Sequence, residues 1–267
     1  MYNKLIYLLN RKVLILDKKI QRRFGLSIFF LFPLRVITRL FEIFNFESIK
    51  KLKNNKKIAN YFIDISKIKN NRALNIVSVG VANNIDFDFQ LIKNFSVKKL
   101  IFVDPNLESK EFVEKNLKNY KLKFNYELKA MSDKKQKNVK IYTAPYNLEP
   151  NWSLDNSFQN DKFVYVDTIN YKYIVNNYNF NYIDIFKLDA EGFADKILID
   201  LLKNKLLPEQ ICFELERPYS FLRQADYFRR AYNIKNILKK NYNIYYHTDL
   251  KIGMRIELLA VKRNSSY

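Results

Sequence analysis

A chain of 267 residues, 48% hydrophobic and 16% aromatic, is long enough for one large domain, or for a domain with an appendage, and too apolar to be disordered. One cysteine, Cys212, and one histidine, His247, exclude an intramolecular disulfide, a Cys-based zinc site and a His-cluster metal site. These counts fit a reducing cytoplasm; they leave open only a carboxylate site for Mg²⁺ or Ca²⁺, which nothing in the sequence supports, and no metal is expected.

The net charge of +20 is uneven: residues 1–70 hold 16 Lys and Arg against 4 Asp and Glu, hence +12, which leaves +8 for the rest. Such a lobe attracts polyanions, whether nucleic acid, anionic lipid or phosphorylated glycolipid, unless it is only a solvated basic surface.

Residues 1–23 alternate short apolar runs with basic residues and read as one or two helices, without the cleavage site of a signal peptide. Residues 25–45 are the most apolar stretch. The uninterrupted run 28–34 is far short of the ~20 residues needed to span a bilayer. Pro33 opens a helix in which Arg35, Arg39 and Glu42 share one face, and Val36, Ile37, Leu40, Phe41, Ile43 and Phe44 form the apolar remainder. The stripe is read as packing on a core, with a membrane interface as the alternative. Residues 50–57 read as a basic linker and 58–68 as a short helix.

Residues 74–106 carry the strongest signal. An apolar run ends at Gly80, a helical pattern follows from Asp86 as N-cap through Phe87, Leu91, Ile92 and Phe95, and a second apolar run ends at Asp104-Pro105. This is a βαβ unit on a parallel sheet. Gly80, one of only four glycines, sits where the chain turns sharply and a ligand can approach bare backbone. Asp104 stands where an acidic side chain accepts from both hydroxyls of a ribose. The turn Gly80-Val81-Ala82-Asn83 lacks the G-x-G-x-x-G of a dinucleotide site, and no P-loop pattern occurs anywhere in the chain. S-adenosylmethionine, which has a ribose and no phosphate, needs only one such glycine.

Further along, 108–120 read as a helix, 123–129 as a third strand, and 139–143 and 163–167 as strands around an irregular segment holding Trp152, an acceptor lid or a buried loop. Residues 168–179 read as a helix and 182–188 as a dense apolar strand ending in Asp189-Ala190-Glu191-Gly192. A helix over 193–202 follows, then a strand over 210–214 containing Cys212, read as a buried structural thiol. A long helix over 221–240 and a hairpin formed by 242–247 and 255–261 complete the chain.

Four stretches in this order resemble the FkbM-type methyltransferase family: SVGVANNIDFD, VDPN, AMSD at 130–133 and KLDAEG at 187–192. The resemblance covers about residues 74–262. Relatives often carry Asp where Ser78 stands and a second Gly where Asn84 stands. It implies an α/β, Rossmann-like class I methyltransferase fold: a mostly parallel seven-stranded sheet with an antiparallel terminal strand. Here that domain would span 71–267, with a basic helical N-terminal extension over 1–70. It implies S-adenosylmethionine as cofactor, held by Gly80, Val81, Ala82, Asn83, Asp104, Pro105, Met131, Ser132, Asp133 and Asp189. Met131 would pack on the adenine and Asp133 would accept from its amine.

Ligands of open α/β sheets bind beyond the carboxyl ends of the strands. Asp189 is therefore expected to contact the methionine amino group or steer the acceptor, and Glu191 to act as base unless it only caps a helix. The amine-gripping [DN]-P-P-[YF] turn of nucleic-acid N-methyltransferases is absent after the fourth strand. The expected activity is O-methylation of a carbohydrate or glycolipid hydroxyl, in the cytoplasm or at the inner membrane face, with anionic membrane touched through 1–70. Nucleic acid is not the expected partner. An RNA methyltransferase and a non-catalytic glycan- or membrane-binding protein on the same fold are the alternatives.

Overall fold

The structure, a computed structural model, describes residues 32–68, 72–120, 122–143, 152–153, 163–190, 193–216, 224–247 and 255–264. Helix α1 (Phe32–Asn45) leads into a two-residue strand, β1 (Glu47–Ser48), and then a hairpin of β2 (Asn55–Ile58) and β3 (Tyr61–Asp64). The βαβ unit follows as β4 (Leu74–Val79), α2 (Asp86–Asn94) and β5 (Val97–Val103). Next come α3 (Leu107–Leu117), β6 (Phe124–Glu127), β7 (Ala130–Met131), β8 (Gln136–Thr143), β9 (Trp152–Ser153), β10 (Phe163–Ile169) and α4 (Tyr171–Asn177). The chain continues with β11 (Ile185–Leu188), α5 (Ala194–Leu202), β12 (Gln210–Glu216), α6 (Gln224–Leu238), β13 (Tyr242–His247) and β14 (Arg255–Lys262).

The main sheet runs β1-β13-β14-β12-β11-β4-β5-β6. Seven of these strands form the expected doubly wound sheet, and β14 lies antiparallel to both β12 and β13. The eighth, β1, pairs parallel to β13 at the edge and comes from the N-terminal segment. The order of strands reverses between β4 and β11, so a crevice opens there at their carboxyl ends. A second sheet, β7-β10-β8-β9, stands beside the first and contains the two strands read at 139–143 and 163–167.

Strand periodicity sorts the core onto two faces. Val77, Val79, Ile101, Val103, Phe186, Leu188, Ile211 and Phe213 point towards α4, α5 and α6. Ile76, Leu100, Phe102, Ile185, Cys212 and Leu259 point the other way and meet Phe87, Leu91, Val113 and Leu117 of α2 and α3. Ile58, Tyr61 and Ile63 of the hairpin belong to this second cluster. The short helix read at 58–68 is therefore a strand and a 3-10 turn. Its Tyr-Phe-Ile-Asp run has β-branched and aromatic character, and a parent sheet to pack on decides the outcome. The N-terminal segment is accordingly only partly helical, and 46–68 share a core with the sheet. Gln210 fastens the hairpin, its Oε1 accepting from Asp64 N at 2.6 Å.

Helix α1 corrects a second expectation. Its polar side packs inward: Glu42 is fully buried and accepts from Tyr227 Oη of α6 at 2.7 Å, with Thr38 also buried. Phe41 stacks on Phe228 at 4.7 Å between centroids. Of the apolar stripe that was read as core only Phe41 packs inward; Val36, Ile37, Leu40, Ile43 and Phe44 face outward, with Phe44 80% exposed. Turning the helix over would strip the buried Glu42 of its Tyr227 donor.

At the amino ends of β4 and β11 a carboxylate latches two strands. Asp184, 1% exposed, accepts from Asn75 N at 2.7 Å through Oδ2 and from the Arg72 guanidinium through Oδ1. Arg72 also lies 3.7 Å over the Tyr182 ring. Replacing Asp184 by Ala leaves a buried N–H and a guanidinium without their acceptor, and is expected to cost about 1–3 kcal/mol. Urea unfolding of Asp184→Ala should show a lower midpoint at unchanged slope. An unchanged midpoint would remove the latch from the account.

Candidate functional site

Three strand ends, those of β4, β5 and β11, are tied together at the crevice. Gly80 N donates to Val103 O at 3.0 Å, Asp189 N donates to Val79 O at 3.0 Å, and Lys187 Nζ donates to Gly80 O at 2.8 Å. Gly80 has φ of 72°, and a β-carbon there would stand 1.7 Å from the Asp189 carbonyl oxygen. The glycine is thus fixed by the crossing of two strand ends, in addition to whatever a ligand requires. A side chain at this position disturbs the fold itself, and not only the approach of a ligand.

Ala82, two residues on, also has a positive φ, 46°, which is uncommon for a residue with a side chain. Asp104 holds that conformation. Its Oδ2 accepts from Val81 N at 2.9 Å and from Ala82 N at 3.0 Å, and its Oδ1 accepts from Asn106 N at 2.9 Å. The carboxylate is 7% exposed. Burial raises its pKa, against the pull of these N–H groups and of Lys187. Three of its roughly four acceptor sites are therefore used by the protein, and the expected two-hydroxyl grip on a ribose does not match this geometry. Asp104 is first a positioning residue for the Gly80 turn. Pro105 separates it from Asn106, which caps α3 by accepting from Glu108 N at 2.9 Å. Asn83 is exposed at the tip of the turn. The start of α2 also differs from the reading: Asp86 is the first helical residue, Ile85 stands at the cap position without a side-chain hydrogen bond, and Asn84 Oδ1 accepts from Asp86 N at 2.9 Å.

Below the turn, Lys187 sits opposite Ser78 on one side and Cys212 on the other. It is 4% exposed. Asp88, reaching in from α2, is 1% exposed and faces both Lys187 and Ser78. Burial raises the Asp88 pKa, with Lys187 opposing. The acid facing Lys187 thus comes from the helix, while the strand position beside it is Ser78. Burial also pushes the Cys212 thiol far up, which leaves it an inert core group as expected.

One step along the same face, at the carboxyl edge, come Asp189, Glu214 and Glu257, the last two in register. Tyr61 of the hairpin lies against them. Its hydroxyl is buried without a hydrogen-bond partner among the described residues. Burial first, then Asp189, Glu214 and Glu257, hold it protonated well above the ordinary tyrosine range. Sequence reading missed Tyr61, Asp88 and Lys187. The first lay in a stretch read as helix, and the other two are charged residues whose burial no periodicity announces.

The remaining sequence-predicted residues are placed elsewhere. Met131 is 4% exposed and belongs to the same apolar cluster as Val79, Val103 and Leu188, so it is core and not a free platform for a base. Ser132 N donates to Ile169 O at 2.8 Å and its Oγ donates to Asp133 Oδ1 at 3.1 Å, tying both residues to β10. Glu191 and Gly192 lie outside the described residues, as does most of the segment read as an acceptor lid. An open hollow of about 400 Å³, lined by Lys135, Asn170, Lys172, Tyr173, Asn176 and Asn177, contains none of the expected site residues.

No family model matches this chain, and no curated protein matches it. Solved structures do. It is similar to the methyltransferase FkbM from Methylobacillus flagellatus KT at 10% identity and a TM-score of 0.44, over 70% of this chain and 43% of that one. It is similar to a dimethyladenosine transferase from Plasmodium falciparum at 10% identity and a TM-score of 0.42, over 76% and 60%. It is also similar to TrmK of M. capricolum in complex with S-adenosyl-homocysteine, at 14% identity and a TM-score of 0.36, over 75% and 66%. The chain thus spans less than half the length of the FkbM structure. These are distant likenesses of fold, and the fold class follows from the strand order itself.

The tightness of the strand-end crossing is open to a direct test. Gly80→Ala should destabilise the protein by at least ~2 kcal/mol, because backbone must move and a positive φ must be held by alanine. Thermal unfolding reads this. A melting temperature equal to that of the wild type would show that the crossing is looser than described.

Proposed function

We propose that this protein is an S-adenosylmethionine-dependent methyltransferase acting on a hydroxyl of a carbohydrate or glycolipid-type acceptor. One observation carries the choice of cofactor: the amides of Val81 and Ala82 are already bound by the buried Asp104 carboxylate. In nucleotide sites of this topology those turn amides and the following helix N-terminus receive phosphate. Here an acid occupies the amides, and the first turn of α2 carries Asp86 and Asp88. Phosphate would meet negative charge, and two of the turn amides it would need are already taken. A nucleoside with a cationic sulfonium and no phosphate fits the same place.

The chain's own residues divide the work as follows. Gly80 keeps the floor of the crevice bare, and Asp104 offers its remaining acceptor site to one ribose hydroxyl. Asp189 leaves a buried strand and faces the methionine ammonium or the acceptor. Tyr61 donates its hydroxyl to a ligand oxygen, which satisfies a group otherwise buried at a cost of about 1–3 kcal/mol. When bound, the cofactor supplies an electrophilic methyl on sulfur. Alignment of the acceptor oxygen with that methyl is the main catalytic demand, and a carboxylate at the strand ends takes the hydroxyl proton. An oxygen acceptor is supported by the carboxylates Asp189 and Glu214 at the edge and by the lack of an amine-gripping turn after β11.

Calorimetric titration tests the reading. S-adenosylhomocysteine should bind, and ATP and NAD should not. Tyr61→Phe should weaken the binding of S-adenosylhomocysteine, or of the acceptor, while the free protein unfolds at an equal or higher temperature. Binding of ATP or NAD with no binding of S-adenosylhomocysteine would overturn the assignment. A Tyr61→Phe variant with wild-type affinities would remove only the tyrosine's role.

A further inference from the structure

Helix α1 is amphipathic in the inverted sense. Val36, Ile37, Leu40, Ile43 and Phe44 are 40%, 52%, 47%, 49% and 80% exposed. At 3.6 residues per turn they fall within an arc of about 120°. The opposite arc, Thr38, Phe41, Glu42 and Asn45, is held by α6: Glu42 accepts from Tyr227, and Asn45 Oδ1 accepts from Lys235 Nζ at 3.1 Å. Buried polar partners therefore fix which side faces out, and the helix cannot roll its apolar side inward without abandoning the Glu42 carboxylate. A contiguous outward stripe of this kind marks an interaction surface.

The charge around the stripe selects its occupant. Residues 32–57 carry seven Lys and Arg against two Asp and Glu, hence +5, and Lys50, Lys51, Lys53 and Lys57 are exposed. Residues 1–31 carry seven against one, hence +6. Folding that segment over α1 would bring two positive stretches together. So would a second copy of a chain with net charge +20. An anionic lipid surface answers both features, taking the apolar stripe among its acyl chains and the lysines at its phosphates. A nucleic acid would answer only the charge.

We propose that the outward face of α1 is a membrane-docking surface that seats the protein peripherally on anionic lipid. The depth is interfacial: among the described residues no helix is long and apolar enough to cross a membrane. The attachment is independent of the methyltransferase reading, since it rests on α1, its packing on α6 and the lysines of residues 50–57.

The test uses the full chain and vesicles of phosphatidylcholine with or without phosphatidylglycerol, in the absence of cofactor. The protein should sediment with the anionic vesicles and not with the neutral ones, and raised salt should release it. Ile37→Ser with Phe44→Ser, both at exposed positions, should reduce the bound fraction by about tenfold or more without changing the melting temperature. In Phe44→Cys the native Cys212 is fully buried, so a maleimide reads position 44 alone. Labelling should be rapid in buffer and blocked by anionic vesicles. Protection in buffer at every protein concentration would mean that residues 1–31 cover the stripe. Protection only at high concentration would mean that a second copy does. Either result, or equal sedimentation with both vesicle types, overturns the proposal.

Discussion

The buried carboxylate of Asp104 is the interaction on which the crevice depends. It sits at the end of β5 and holds the two amides that follow Gly80 at the end of β4. Without it, Ala82 would have no reason to stay at φ of 46°. Two N–H groups, one buried and one partly buried, would also lose their acceptor. Each unsatisfied amide costs about 1–3 kcal/mol, and left-handed alanine of order 1 kcal/mol more. The same contact fixes chemistry. A turn whose first two amides are spent on an internal acid is poorly equipped to cradle phosphate, so a constraint of folding becomes a constraint on ligand class.

A second layer of buried charge lies beneath. Lys187 donates to Gly80 O and faces Asp88, and its charge lowers the cost of ionising both Asp88 and Asp104. Glycine, lysine and the two acids form one electrostatic unit. It is drawn from β4, α2, β5 and β11, which makes the geometry of the turn sensitive to the packing of all four. The hairpin of β2 and β3 closes this face of the sheet and brings Tyr61 to the same edge. The N-terminal segment is therefore part of the domain's core on one side, while its helix α1 presents an apolar stripe on the other.

Most of the sheet was legible in the sequence. The strands are short apolar runs ended by Gly80, Asp104 and Asp189, and helix spacing between them left few topologies. The βαβ unit, the fourth and fifth strands and the antiparallel terminal hairpin all lie where the pattern put them. The hairpin at 55–64 was read as linker and helix because its first half is rich in lysine and asparagine, and its contact with β12 and β14 favours the strand. For α1 the period was right and the direction wrong. A hydrophobic stripe says which residues share a face; it does not say that the face is covered, and the Glu42–Tyr227 bond that turns the helix spans 185 positions. In the site, residue types at strand ends were readable. Which acid binds a ligand and which binds backbone was not, because both demand the same residue at the same place. Met131 shows the converse: a position beside a loop can still be core.

Amide hydrogen exchange at Val81 and Ala82 in the free protein tests the central claim most directly. If Asp104 clamps the turn, both amides exchange far more slowly than the neighbouring Asn83, whose side chain is exposed, and lose that protection in Asp104→Ala while the strands keep theirs. Rapid exchange of Val81 and Ala82 in the wild type would contradict it, since the amides would then be free to receive a ligand's phosphate.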